Sequence, residues 1–111
     1  MPDTLPPHRR YPADALRLLA ELIKRHRIEH RMTMQQLADR LEVSSKFVQR
    51  IEAADPGCAI GKVFEAAAIV GIRLFDIDEV TMAARISETK AALELLPRSV
   101  RMSGRPVKDD F

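Results

Sequence analysis

The 111-residue sequence has a single cysteine, no tryptophan, one tyrosine and four glycines. A disulfide needs two cysteines and a zinc site needs several ligands, so Cys58 alone forms neither. No apolar run approaches the ~18 residues that a membrane-spanning helix requires. The N-terminus carries prolines where a secretory signal has basic residues, so we expect a cytoplasmic protein with no membrane contact.

The residue groupings of an enzyme are also missing. We find no nucleophile with its base, no metal-ligand set and no glycine-rich phosphate loop. His26 and His30 lie four residues apart in a predicted helix, but no third metal ligand accompanies them. Asp76, Asp78 and Glu79 form no recognisable carboxylate site. We therefore expect no catalytic activity, no metal and no cofactor.

The charged residues are numerous, at 31% of the chain, and they nearly balance to a net charge of +2. The length fits one compact domain with a tail. Basic residues cluster in two stretches, which are either solvated faces or phosphate-binding surfaces. The clusters are Lys24, Arg25, Arg27 and Arg31, and Arg98, Arg101, Arg105 and Lys108.

Apolar spacing predicts an all-α fold with four to five helices. Residues 1–12 are proline-rich and should form a flexible arm, and a first helix should run from residue 13 to about His30. Thr33 and Gln36 form a capping-box pattern for a short second helix. Ser44 is the predicted N-cap of a third helix, whose inward residues are Phe47, Val48 and Ile51.

A fourth helix should begin near Ala59 and end at Gly71. The next seven residues, 72–78, are rich in strand formers, and a lone strand is best satisfied by pairing with a second copy. The predicted dimer contacts are Ile72, Leu74, Phe75 and Ile77. These elements complete a domain over residues 13–80. An accessory helix, capped by Thr81 and ended by Pro97, should occupy residues 81–97, and residues 98–111 should be disordered.

The third helix carries side chains suited to reading DNA bases. Lys46 and Arg50 donate hydrogen bonds that guanine accepts, and Gln49 matches adenine. Ser45 suits a base edge or a phosphate. The second and third helices are short and are joined through Glu42 and its neighbours. In this arrangement the third helix is exposed and fits a major groove.

The segment Thr33 to Ser44 reads TMQQLADRLEVS and is followed by VQRIE at positions 48–52. Together they resemble the Cro/repressor (XRE) helix-turn-helix family, over about residues 15–72. The resemblance implies base contacts at Ser45, Lys46, Gln49 and Arg50. It implies phosphate contacts at Gln35, Gln36, Ser44 and Lys62, and at the backbone N–H groups of residues 59–61. It also implies a structural ion pair between Arg27 and Glu52.

The sequence departs from the family pattern at two positions. Met34 stands where the family usually has a phosphate-binding glutamine. Glu42 stands where glycine is common, so we expect a non-glycine residue in the left-handed region. Neither departure removes the motif, and the resemblance implies a homodimer that binds a palindromic operator in double-stranded DNA.

A narrower resemblance involves the turn at residues 55–57, the helix start at residues 60–63 and the segment 72–78. Together these resemble HipB-like antitoxins of type II toxin–antitoxin systems. That resemblance implies an autoregulating repressor whose tail, through Asp109, Asp110 and Phe111, binds a HipA-like serine/threonine kinase toxin. The alternative is a stand-alone repressor of the same fold without a toxin partner. A third possibility is that the basic tail residues contact phosphates.

Overall fold

The computed structural model describes residues 5–100, and within them it contains five α-helices, one short 3-10 helix and no β-strand. This confirms the all-α fold class. No helix in that range is long and apolar enough to cross a membrane. The chain divides into two compact units, with the boundary after Asp76. The helices are α1 (Pro7–Glu29), α2 (Met34–Leu41), α3 (Ser45–Glu52), α4 (Ile60–Ile69) and α5 (Glu79–Glu94), and the 3-10 helix is Leu74–Asp76.

Helix α1 begins at Pro7, so residues 7–12 are helical and do not belong to the expected flexible arm. Pro7 occupies the first helical position, where a missing N–H leaves no hydrogen bond unmade. Pro12 lies inside the helix. The sequence suggested a later start because residues 1–12 are polar and proline-rich and show no helical periodicity.

Helices α2 and α3 begin at the capping residues that the sequence predicts. The Thr33 hydroxyl accepts a hydrogen bond from the Gln36 N–H at 3.0 Å, and the Gln36 side-chain oxygen accepts one from the Thr33 N–H at 2.8 Å. The Ser44 hydroxyl accepts from the Phe47 N–H at 3.1 Å. These bonds satisfy N–H groups that a helix start otherwise leaves without partners. The predicted capping box is confirmed.

The turn between α2 and α3 is closed by a left-handed residue. Glu42 has φ 59° and ψ 44°, as expected. The Val43 N–H donates to the Ala38 carbonyl at 3.0 Å and the Glu42 N–H to the Asp39 carbonyl at 3.2 Å. This pair of bonds is the Schellman arrangement, which satisfies carbonyl groups at the end of α2.

The core of the first unit lies among α1, α2, α3 and α4. Helix α2 buries Leu37, Ala38 and Leu41 completely, and α3 buries Val48 and Ile51 against them. Three large apolar residues of α1 and α4 lie outside this core and are exposed, namely Leu18, Ile28 and Ile60. The remaining members of the core are Ile23, Met32, Val63, Ala66, Ala67 and Val70.

One ion pair lies within this core. Arg27 Nε and Nη2 donate to the two Glu52 carboxylate oxygens at 2.6 and 3.0 Å, and Arg27 Nη1 donates to the Met32 carbonyl at 2.9 Å. The two side chains are 9% and 3% exposed. The implied Arg27–Glu52 pair is thus present, and it joins the end of α1 to the end of α3.

The segment predicted as a strand, residues 72–78, is not extended in this chain. Phe75 and Asp76 have φ values of 56° and 60°, which are incompatible with a strand. Ile72 and Leu74, which the sequence predicts as dimer contacts, are partly buried against the core of the first unit. Phe75 is exposed and its ring lies edge-on to Phe64 at 6.3 Å, so it too has a partner within the first unit.

The second unit contains α5, which begins at Glu79, two residues before the predicted cap Thr81. The cap is Asp78, whose Oδ1 accepts from the Thr81 N–H at 2.7 Å. The helix ends at Glu94, shortly before Pro97. None of the residues of α5 is fully buried.

Replacing Glu52 with alanine should lower the free energy of unfolding by about 3–5 kcal/mol, because Arg27 would remain buried without its counter-charge. Urea unfolding followed by circular dichroism measures this. The matched control is Glu29→Ala, which breaks the exposed Arg25–Glu29 pair at 3.1 Å. That control should cost no more than about 0.5 kcal/mol, and an equal loss in both variants would contradict the structural role of Glu52.

Replacing Glu42 with glycine should raise the free energy of unfolding by about 1 kcal/mol, because glycine adopts the left-handed conformation without strain. Glu42→Ala keeps the strain and serves as the control for loss of the carboxylate. The same urea titration compares the two. A glycine variant no more stable than the alanine variant would show that the turn is unstrained.

Candidate nucleic-acid interface

The outward face of α3 is polar and is held opposite a buried apolar face. At about 100° per residue, positions 45, 46, 49 and 50 share one side of the helix. Val48 and Ile51 lie on the other side with exposures of 0% and 2%. Lys46, Gln49 and Arg50 are exposed and Ser45 is half-buried. The four predicted base-contacting residues therefore lie together on one face.

Arg50 is fixed by the turn that follows α3. Its Nε donates to Asp55 Oδ2 at 2.8 Å, and Asp55 Oδ1 accepts from the Gly57 N–H at 2.8 Å. The guanidinium also lies 5.8 Å from the centre of the Phe47 ring, within cation–π range. Its two terminal nitrogens make no hydrogen bond to any residue between 5 and 100. This leaves the pair of donors that a guanine edge accepts.

The Arg50–Asp55 pair remains ionised over a wide pH range. The hydrogen bond from Arg50 lowers the pKa of the Asp55 carboxyl, and the Gly57 N–H lowers it further. The hydrogen bond to Asp55, with its negative charge, raises the pKa of Arg50. Both groups are therefore charged at neutral pH, and Asp55 acts as a fixed acceptor.

Lys46 and Gln49 differ from Arg50 in having no such support. Neither side chain makes a hydrogen bond or ion pair with another residue in the described part of the chain. Both are exposed. The face therefore combines one pre-positioned donor with two side chains that keep their rotamer freedom.

The predicted phosphate contacts fall into two groups. Gln36 and Ser44 use only acceptor capacity in their caps, so the Gln36 amide NH₂ and the Ser44 hydroxyl hydrogen stay available to a phosphate. Gln35 Nε2 already donates to Asp39 at 2.8 Å. Lys62 Nζ donates to the Leu41 carbonyl at 2.8 Å and lies 3.4 Å from Glu65. Lys62 thus connects α4 to the end of α2 and has at most one proton left for a phosphate.

The start of α4 is open, as the predicted backbone contact requires. Its N-cap residue, Ala59, provides no side-chain hydrogen bond. A Cβ atom added to Gly61 would meet nothing within 4 Å. Within residues 5–100, the Ile60 and Gly61 N–H groups have no hydrogen-bond partner, whereas the Lys62 N–H donates to the Ala59 carbonyl at 3.0 Å. Unpaired N–H groups at a helix start favour an anion.

The other candidate residues give no site. His26 Nδ1 lies 3.3 Å from the Val70 carbonyl and His30 Nδ1 lies 2.7 Å from the His26 carbonyl, so one nitrogen of each ring has a backbone partner. Residues 5–100 hold no group of three metal-ligating side chains. The predicted toxin contacts Asp109, Asp110 and Phe111 lie outside the described residues.

The contribution of Asp55 was not predicted from the sequence. The spacing identified it as a turn residue, which it is, but not as the partner of Arg50. The pair joins a helix to the following turn across five positions. Helical periodicity stops at the end of α3 and so does not relate Asp55 to Arg50. The sequence signal for the pair was therefore limited to an acidic residue five positions after an arginine.

The Asp55 carboxyl should titrate below its ordinary value of 3.8, and Arg50→Gln should move it back toward that value. A lowered folded pKa adds stability above the unfolded pKa, and this stability is lost as pH falls through the folded value. Carboxyl carbon chemical shifts in an NMR pH titration measure both proteins. Arg40→Gln is the control, and an Asp55 pKa insensitive to Arg50→Gln would contradict the pairing.

No protein-family model, curated protein or solved structure matches the chain in comparisons with known proteins. These comparisons therefore assign no family. The function has to be inferred from the side chains on α3 and from the backbone around them.

Proposed function

We propose that this protein is a sequence-specific DNA-binding repressor that inserts α3 into the major groove. The observation that carries the proposal is the face formed by Ser45, Lys46, Gln49 and Arg50. It lies on a short helix whose opposite side is buried, so the backbone is held while the polar side chains point outward. A major groove about 12 Å wide admits such a helix.

The side-chain chemistry supports base reading. The terminal nitrogens of Arg50 and the ammonium of Lys46 match the two acceptors of guanine, and the Gln49 amide matches adenine. Each good bidentate contact gives about 1–3 kcal/mol of discrimination. Two or three such contacts in a half-site give useful selectivity.

Phosphate contacts would set the position of α3 without reading sequence. The open start of α4, the Ser44 hydroxyl and the Gln36 amide are the donors best placed for this role. Lys62 contributes mainly by holding α4 against the end of α2. The backbone N–H groups carry no net charge, so the salt dependence would come from the few cations near the DNA, and binding should weaken as salt rises.

The protein would act as a two-fold homodimer on a palindromic operator, with half-sites about 34 Å apart. Ile72 and Leu74 face the monomer's own core, so the cross-dimer strand first expected at residues 72–78 would require this segment to rearrange.

An antitoxin role extends the proposal. The turn at residues 55–57 and the helix start at Ile60 are two of the three features behind the HipB-like resemblance. Under this role the protein represses its own operon and its tail binds a HipA-like kinase. The alternative, a stand-alone repressor, requires no toxin, and its tail is dispensable.

The test begins with selection from a pool of random DNA duplexes, followed by anisotropy titrations on the selected sequence. Lys46→Ala and Gln49→Ala should each relax preference at separate positions, with a loss of about 1–3 kcal/mol for the selected base. Lys24→Ala removes an exposed charge on α1 and is the control, because it should leave base preference unchanged.

Three outcomes separate the hypotheses. No enrichment by the wild-type protein would reject DNA reading. Equal weakening on every sequence in Lys46→Ala and Gln49→Ala would reject the base-contacting assignment. Removal of residues 98–111 tests the antitoxin role, since lost capture of the kinase with intact DNA binding supports it and an unaffected protein supports the stand-alone repressor.

A further inference from the structure

A mainly apolar stripe runs along α5, and none of the residues of this helix is buried. Met82, Ile86, Thr89 and Leu93 recur at spacings of four, three and four, and Leu96 follows three residues later. Ile86, Leu93 and Leu96 are 62%, 61% and 60% exposed. Arg85, Ile86, Thr89, Lys90 and Leu93 line a shallow, mainly apolar depression on this side. Alternating spacings of four and three are the pattern of a helix that packs against another helix.

We infer that this stripe binds the same stripe of a second copy, as an antiparallel helix pair that forms the dimer. The inference builds on the two-fold dimer of the proposed function and names its surface. It explains why apolar side chains of this size are exposed on a helix with no buried residue.

In a pair of two copies, the charges on either side of the stripe favour the antiparallel direction. In a parallel pair, Arg85 of each helix would lie beside Lys90 of the other, and the like charges would repel. In an antiparallel pair, Met82 of one copy lies opposite Leu93 of the other, and Ile86 opposite Thr89. Arg85 and Lys90 then lie opposite the small residues Ala92 and Ala83.

The ends of the helix are complementary in the same arrangement. The first turn of α5 carries Glu79, and Arg98 lies shortly after its end. Antiparallel pairing brings each Glu79 toward the chain end that bears Arg98 of the other copy. It also places the positive end of each helix dipole beside the negative end of the other. Parallel pairing would bring the two Glu79 side chains toward each other and the two Arg98 side chains toward each other, and each like-charged pair would repel.

The other side of α5 provides a matched control. Ala84 and Ala91 lie opposite the stripe, together with Ser87 and Glu88, and both alanines are exposed. A glutamate at either position adds the same charge as a glutamate in the stripe. It does so on a surface that the inferred pair leaves in water.

The first experiment is sedimentation of the full chain without DNA over a range of concentrations. We expect a reversible monomer–dimer equilibrium. Ile86→Glu and Leu93→Glu should each weaken it at least about tenfold, because each buries an unpaired charge. Ala84→Glu and Ala91→Glu should leave it unchanged, and circular dichroism checks that all four variants fold.

The direction of pairing is tested by disulfide cross-linking in a Cys58→Ser background. Met82→Cys combined with Leu93→Cys should give a cross-linked dimer on mild oxidation, and Met82→Cys alone should not. Efficient cross-linking by Met82→Cys alone would show a parallel pair and overturn the antiparallel arrangement.

Other outcomes also overturn the inference. A wild-type protein that stays monomeric up to its solubility limit would show that the stripe binds a different partner. Equal losses in the Ala84→Glu and Ile86→Glu variants would place the interface elsewhere. Neither result bears on the DNA-binding proposal, because selection of a preferred DNA sequence is measured separately. Failed DNA selection, in turn, does not bear on the inferred dimer.

Discussion

The ion pair between Arg27 and Glu52 is the constraint on which the arrangement of the first unit depends. Its two hydrogen bonds join the end of α1 to the end of α3, and the third bond to the Met32 carbonyl connects α1 to the segment before α2. Both charges are almost removed from water, so neither is stable without the other. The pair thus fixes the end of α3 in a core that is otherwise apolar.

The outward face of α3 follows from this anchoring. Apolar packing of Val48 and Ile51 leaves a helix free to slide or rotate slightly, whereas a bidentate ion pair has one preferred geometry. Ser44 fixes the start of the same helix through its cap. With both ends held, the fold defines the backbone at positions 46 and 50, and Asp55 additionally holds the Arg50 side chain.

The features that the sequence predicts well are local ones. The caps at Thr33 and Ser44 and the left-handed Glu42 each depend on a few neighbouring residues, so their signals are contained in short segments. The start of α1 was misjudged because residues 7–12 contain prolines and show no apolar periodicity, although they form the first turns of the helix.

The features that the sequence does not reveal depend on tertiary contacts. Residues 72–78 have the composition of a strand, yet Ile72 and Leu74 complete the core of the first unit and the chain turns at Phe75. The support of Arg50 by Asp55 crosses a helix end, where periodicity stops. Spacing identified all four residues of the polar α3 face but not how firmly each is held.

In the proposed complex with DNA, the difference between the held Arg50 and the unsupported Lys46 determines how strictly each side chain recognises a base. Long cationic side chains carry about 2 kcal/mol of rotamer entropy, and Asp55 has already removed part of it from Arg50. Under the proposed function, Arg50 would therefore accept fewer bases than Lys46, whose side chain can adjust to several acceptors. The α3 face would then read some base positions strictly and others permissively.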